Sequence, residues 1–453
     1  MNSIVRSIKK FKNIRLKKLP QVPAYLFLKN SLQILKNPLP FHHRNFKKHG
    51  DTFQLNLGFG NHVVFSRDQD LAILALQKQQ KDFIKSPIQT KDLVKYVGKG
   101  LLTVEGEEWK TQRKLLQPTF YKKNIFQLLD LMQAAIKKEV QRIQPKQSID
   151  VFPIFNDLAF KVVAKSLFSD AISDEQIQRL QFITEEAQKM LVKELRQPYK
   201  KWWFMWSGEL KKTLLLTKEA LQIIEGIIAQ RRNQDEQSED LLDMLLHTTY
   251  EDGSTMTHEK LLDEILILFI AGHETTSNAL SFCVQLIARN PEVQQKISAE
   301  VDKNINESLL DKLKNSRYIT AVIEESMRLY PPVYFIDRVN TKPLHFKDFE
   351  IPKNTSLLFS LYEMHRKEDF WEDPLSFNPE RFLNGKNHSA YYFPFGAGPR
   401  KCIGNNFAMY EITLVLHELF SHFEAEYTDK PIEILPLISL KPKNAHLSFK
   451  ART

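Results

Sequence analysis

The run Phe395-Gly396-Ala397-Gly398-Pro399-Arg400-Lys401-Cys402-Ile403-Gly404 holds one of only two cysteines in 453 residues. Cys402 follows Arg400 and Lys401 and precedes a stretch, 404–421, whose apolar residues recur at helical spacing. Neighbouring positive charge and the N-terminal end of a helix both favour the thiolate over the thiol. Gly398 and Gly404 permit tight turns and close backbone approach, so amide N–H groups can point at the sulfur. A thiolate held this way suits a soft axial ligand to iron. It suits an iron–sulfur cluster poorly, because the cysteines that such a cluster requires are absent. The other cysteine, Cys283, reads as a small buried hydrophobe. Two cysteines build neither a disulfide framework nor a cysteine-based zinc site.

Working outward, Ala271-Gly272-His273-Glu274-Thr275-Thr276 lies inside a helical pattern over 258–289. Ala271 and Thr275 are four apart and share one face. Gly272 weakens the helix and leaves space beside it, and the Thr275 hydroxyl can bond either the carbonyl four residues back or a ligand. Glu325-Ser-Met-Arg328 sits on a predicted helix ending before Pro331-Pro332, and Phe377-Asn-Pro379-Glu-Arg381-Phe382 follows downstream. Trp109 and Arg113 are again four apart, and an indole N–H and a guanidinium are good donors to carboxylates.

Together these motifs resemble the cytochrome P450 family. The Cys402 loop matches F-x-x-G-x-R-x-C-x-G at every fixed position, and Phe407-Ala408 and Glu411 resemble the family's helix after the ligand. The resemblance runs from about residue 40 to the C-terminus. It implies a cytochrome P450 fold, mainly α with small β-sheets, binding haem b (iron protoporphyrin IX) through Cys402 as the iron ligand. By the same resemblance Trp109, Arg113, Arg338 and Arg400 are propionate contacts and Phe395 a haem-loop residue. Ala271, Gly272, Glu274 and Thr275 form the oxygen-activation motif, with Thr275 hydrogen-bonding dioxygen or its water and Glu274 taking part in proton delivery. Glu325, Arg328 and Arg381 hold the haem-side core, and His365 is structural. The implied activity is a monooxygenase that inserts one atom of O2 into an apolar substrate: a fatty acid or other lipid, a terpene or a steroid. The closest wording is that of the soluble fatty-acid hydroxylases, although Ala271 stands where eukaryotic ω-hydroxylases often carry a haem-esterified Glu. No reductase module follows residue 453, so electrons are expected from a ferredoxin or flavodoxin with an NAD(P)H-dependent reductase. Such a partner would dock near Lys110, Arg113, Lys114, Lys122, Lys123 and Lys401. The alternatives are an O2-independent isomerase or peroxygenase, which the presence of Thr275 disfavours, and a haem sensor, which would form no product.

Composition limits the rest. The 64 Lys+Arg against 54 Asp+Glu give +10, but residues 1–50 carry twelve of the bases and no acid, so the body is −2. That charge distribution disfavours a nucleic-acid partner and points to a basic segment, 1–40, attached to one catalytic domain, 41–453. The segment is expected to meet an anionic membrane surface or an acidic substrate. No apolar run reaches the ~18 residues of a membrane span, and no secretory core precedes residue 20, so a cytoplasmic monomer with peripheral membrane contact is expected. No G-x-G-x-x-G or G-K-[ST] motif offers a nucleotide site.

A β-hairpin is predicted over 53–65, helices over 123–144, 152–168, 174–194, 209–234, 258–289, 291–303 and 404–421, and strands after 423. Lys200-Lys-Trp202-Trp203-Phe204-Met205-Trp206 falls between two predicted helices and holds three of the five tryptophans. It is read either as packing of a long loop or as an apolar lid over a substrate mouth. Residues 84–103, 265–271 and Val333–Ile336 are expected to line the pocket.

Overall fold

The structure, a computed structural model, describes residues 17–58, 61–145, 147–197, 200–233, 238–427 and 430–452. Arg6 to Arg15 of the basic segment and the Phe59-Gly60 turn lie outside the described residues. The chain forms two compact units, the first from residues up to Ser86 with Phe335–Met364 and Ala397–Arg400, and the second from the remainder.

The first unit is built on a six-stranded sheet in the order Gln21–Val22, Thr52–Gly58, Asn61–Ser66, Ser356–Ser360, Phe335–Asn340, Phe83–Ile84. The predicted hairpin is its centre, pairing antiparallel with Phe53 opposite Phe65 and Leu55 opposite Val63. Its alternation puts Phe53, Leu55 and Phe65 on one face with Val22, Phe41 and Phe46, a dry aromatic core in which Phe53 and Phe65 stack at 5.5 Å. Gly398 closes against this unit: its φ is +69°, and a Cβ there would run into the Leu76 carbonyl, so only glycine fits.

The second unit is helical. Its axis is the helix His258–Ala288, capped by the Thr257 hydroxyl on the Lys260 amide at 3.3 Å. Val151–Phe168 packs most extensively against it, buried almost all round as its apolar sequence requires. Asp174–Arg196 starts at a capping box in which Ser173 and Gln176 satisfy each other's amides. Glu209–Arg232, Pro291–Lys303, Arg317–Leu329 and Asn405–His422 complete the helices that enclose the main core. The predicted helix 123–144 is two, Lys122–Gln127 and Leu129–Val140, because Leu128 bonds three residues back to Ile125 and turns the axis. A three-stranded sheet (Ser148–Asp150, His446–Ala451, Phe423–Tyr427) and a C-terminal hairpin (Glu433–Pro436, Leu440–Lys443) carry the β structure after 423. The stretch expected as a loop at 200–206 contains a short helix, Lys201–Trp206.

Candidate functional site

The Cys402 loop folds back on itself: the Cys402 amide donates to the Phe395 carbonyl at 2.9 Å, and the backbone at Gly404 hydrogen-bonds toward the sulfur. Arg113, on the helix Gly106–Leu116, donates from Nη1 to the Lys401 carbonyl at 2.9 Å and from Nε to Gln117 Oε1 at 3.2 Å. That helix is thereby fastened beside the loop, with Trp109 buried one turn earlier. Phe395 is half-buried. In the first unit, Arg338 is buried on the strand Phe335–Asn340 with Nη1 on the Asp337 carbonyl at 2.7 Å, and Arg400 ends the turn Gly398–Arg400.

Cys402 is exposed to water yet ringed by protein, as on the wall of a recess. One expectation is corrected here. Burial raises the Cys402 thiol above its ordinary value, and it outweighs the Gly404 backbone bond and the positive charges of Arg113 and Lys401 that act the other way. Burial thus works against the thiolate that the flanking charges and the backbone donor favour. No group of three or more His, Cys, Asp or Glu side chains among the described residues could cage a metal. The site offers one sulfur, which would suit an iron whose other ligands come with it, as in a porphyrin. A single accessible sulfur with a backbone donor and a nearby guanidinium fits that group.

The long helix is buried along most of its C-terminal half, yet Ala271 is exposed and Gly272, Glu274 and Thr275 are partly so. Thr275 Oγ1 donates to the Ala271 carbonyl at 3.0 Å, so its hydroxyl serves the helix in this state. The space expected beside Gly272 is taken: a Cβ there would lie 3.1 Å from Val163 Cγ2, so the glycine admits the helix Val151–Phe168. Glu274 is held by two side chains that the sequence reading did not single out. Gln188 Nε2 donates to its Oε2 and Ser439 Oγ to its Oε1, both at 2.9 Å. His273, the motif's other polar residue, turns away, with its ring on Phe160, Nδ1 on the Phe269 carbonyl, and its pKa lowered to about 4 by burial.

Two further carboxylates were also missed. Asp263 and Glu264 accept from the Lys99 and Leu101 amides at 2.7 Å, pinning 98–103 to the long helix; a Cβ on Gly100 would strike Glu264. A charge pattern DE before an apolar run is the only sequence signal for them. Glu325, Arg328 and Arg381 do meet: Arg328 is bidentate to Glu325 at 2.7 and 2.8 Å, and Arg381 Nε lies 3.3 Å from Glu325 Oε1. His365 is buried beside them, and its Nε2 accepts from the Phe393 amide at 3.0 Å. Lys110 and Lys114 are paired with Glu107 and Glu251.

Comparison with known proteins places these features in context. The sequence profile of the family described as Cytochrome P450 matches residues 20–449. "Cytochrome P450 4d2" of Drosophila melanogaster is 28% identical over 450 residues, covering 91% of this chain and 89% of the relative. "Cytochrome P450 4V2" of Homo sapiens is 28% identical over 408 residues, covering 82% and 76%. Among solved structures, "Retinoic acid bound cyanobacterial CYP120A1" superposes with a TM-score of 0.82 at 23% identity, covering 96% of this chain and all of that one.

Proposed function

The chain belongs to the cytochrome P450 family and is a haem-dependent monooxygenase; from that premise we propose that Cys402 ligates the iron and that the enzyme hydroxylates an apolar lipid, a fatty acid first among the candidates. The observation that carries the assignment is the loop itself: an accessible sulfur with a hydrogen bond from the backbone at Gly404, in a loop closed by the Cys402–Phe395 backbone bond. Trp109, Arg113, Arg338 and Arg400 are the proposed propionate contacts, and Ala271 and Thr275 face the reacting oxygen. Haem supplies the cleavage of dioxygen and the insertion of one oxygen atom into a C–H bond. The protein's part is to hold the sulfur, position and dry the substrate, and deliver protons at Glu274 and Thr275. A ferrous–CO spectrum tests the ligand. Wild type is expected to show the thiolate-type Soret band and Cys402→Ala to lose it; retention of the band in the variant would place the ligand elsewhere.

The structural neighbour is described as binding retinoic acid, an apolar chain ending in a carboxylate. A substrate of that class is proposed here too, with electrons from an acidic ferredoxin or flavodoxin docking beside Arg113 and Lys401. Peripheral membrane contact is also proposed. No helix among the described residues is long and apolar enough to cross a membrane. The helix Lys201–Trp206, however, exposes Trp202 at 64%, Trp206 at 76% and Met205 at 56%, with Lys200 and Lys201 beside them. Core packing of this stretch, the other reading of it, applies only to Phe204, which is buried. Aromatic side chains flanked by lysines suit an anionic lipid interface. Trp202→Ser with Trp206→Ser is expected to cut flotation with phosphatidylserine vesicles, and unchanged flotation would remove this contact from the reading.

A further inference from the structure

The sequence contains one Asn-Gly pair, Asn384-Gly385, and one Asp-Gly pair, Asp252-Gly253. Both stand in exposed stretches of the second unit, and both glycines have positive φ, +74° at Gly385 and +79° at Gly253. In each pair the side-chain oxygen accepts from the amide two residues on at 2.9 Å, Asn384 from Lys386 and Asp252 from Ser254. Such a bond folds the side chain back over the glycine peptide unit and brings its Cγ toward the glycine nitrogen.

The two pairs differ at that nitrogen and at the carbon it would attack. The Gly253 amide donates to the Tyr250 carbonyl at 3.0 Å, whereas the Gly385 amide has no hydrogen bond among the described residues. The Ser254 hydroxyl and amide hold the Asp252 carboxyl below its ordinary value, and a carboxylate resists a nucleophile. Asn384 carries a neutral amide instead, and the Lys386 N–H polarises its carbonyl. The approach is also uncrowded: a Cβ placed on Gly385 would meet nothing within 4 Å.

We propose that Asn384 is a self-modifying site, at which the Gly385 nitrogen attacks Asn384 Cγ in the folded protein and converts the asparagine to aspartate or isoaspartate, while Asp252 stays intact. The new N–Cγ bond closes a cyclic imide, the Cγ–Nδ2 bond breaks, and the Gly385 amide proton leaves with the side-chain nitrogen as ammonia. Water then opens the imide. Attack at Cγ gives aspartate; attack at the main-chain carbonyl carbon gives isoaspartate, in which the backbone runs through Cβ and Cγ. Either product replaces a neutral group with a carboxylate, and no oxidant or reductant takes part.

The loop around Asn384 is closed on itself. Arg381 lies 3.3 Å from Glu325 through Nε and donates from Nη2 to the Asp373 carbonyl at 3.0 Å and the Ser376 hydroxyl at 2.9 Å. His388 Nε2 donates to the Arg381 carbonyl at 3.1 Å, and its ring stacks on Trp371 at 4.8 Å. Isoaspartate adds one carbon to a backbone segment tied at 381 and 388, so it loosens the loop that holds Arg381 on Glu325. Aspartate keeps the backbone length.

Mass mapping of the holoenzyme aged at pH 8 tests this. The peptide carrying residues 384 and 385 is expected to gain about one dalton as a mixture of both isomers, with ammonia released one for one. The peptide carrying residues 252 and 253 should stay free of isoaspartate. Asn384→Gln, whose side chain would have to close a larger ring, is expected to remain unmodified. Aged wild type should then show a lower urea midpoint than aged Asn384→Gln, and fresh Asn384→Asp should not. Conversion of Asn384 only after unfolding in urea overturns the proposal, because the fold would then shield the site. Isoaspartate forming as fast at Asp252 as at Asn384 overturns the part given to the glycine amide, and an unchanged midpoint in fully converted protein overturns the loosening of the loop.

Discussion

Glu325 and Arg328 are both fully buried, and their charges are closed on every side. Arg328 donates twice to Glu325 and to the carbonyls of His365, Pro374 and Ser376 at 2.9, 2.7 and 3.0 Å; Glu325 also accepts from the Asn378 amide at 2.9 Å. Removing one charge strands the other in a dry site. Glu325→Gln is therefore expected to cost about 3–5 kcal/mol of stability, read as a lower urea midpoint together with lower haem retention; a midpoint within error of wild type would show the pair to be dispensable. At this scale the sequence was informative where partners are near in the chain or lie in a fixed motif. Glu325 with Arg328, Ala271 with Thr275, and the Cys402 loop all belong to that class. It was uninformative where the partner is a backbone carbonyl, as Lys401 is for Arg113, or a commonplace residue on a distant element, as Gln188 and Ser439 are for Glu274. It also misjudged the Cys402 thiol, because flanking charge is visible in a sequence and desolvation is not.

The long helix and Val151–Phe168 cross where Gly272 meets Val163. A branched side chain at 272 forces the helices apart at the motif that carries Glu274 and Thr275. Gly272→Val is expected to destabilise by about 1–3 kcal/mol, and Val163→Ala in the same chain should recover part of it. Additive losses in the double-mutant cycle would show that the two residues do not share the contact. Helices at this scale were legible because apolar periodicity and capping residues lie within each segment; His258–Ala288, Asp174–Arg196 and Pro291–Lys303 end within two residues of the expected bounds. The sheet was legible only at its central hairpin. Its other strands come from Gln21–Val22, Phe83–Ile84 and 335–360, and pairing between remote segments leaves no periodic trace.

Across the whole molecule the buried titratable groups set the response to pH. Burial lowers His42 and His365 to about 3 and His273 to about 4, so each stays neutral in the fold while the unfolded chain takes up a proton below 6.5. Their contribution is complete above pH 6.5 and is lost as pH falls toward 3–4, at about 1.4 kcal/mol per histidine per pH unit. Burial has the opposite effect on the carboxyls. Glu324 is raised to about 7, and Glu274 and Glu411 are raised as well, Glu411 with both oxygens buried and unpartnered. These stay protonated in the fold above 4.5, where the unfolded chain ionises, so stability falls as pH rises from 4.5 through their folded values. The two sets oppose each other between about 4.5 and 6.5, below which the histidines act alone and above which the carboxyls do. Guanidinium midpoints are expected to be flat in that window and to fall on both sides. Glu411→Gln should lift the midpoint at pH 8.5 and barely change it at pH 5; an equal shift at both would assign its effect to packing.

The strand order of the six-stranded sheet also bears on how the chain is made. Asn61–Ser66 pairs in parallel with Ser356–Ser360, about 290 residues later in the chain. At ribosomal rates of roughly 5–20 residues per second, the first hairpin waits about 15–60 s for that neighbour to be synthesised. Throughout that interval it presents an open apolar edge, the kind of surface that recruits another chain. Its yield in the cell is therefore set by whatever shields residues 52–66 during translation, and slowing synthesis after this hairpin should increase aggregation even though the finished protein is unaltered.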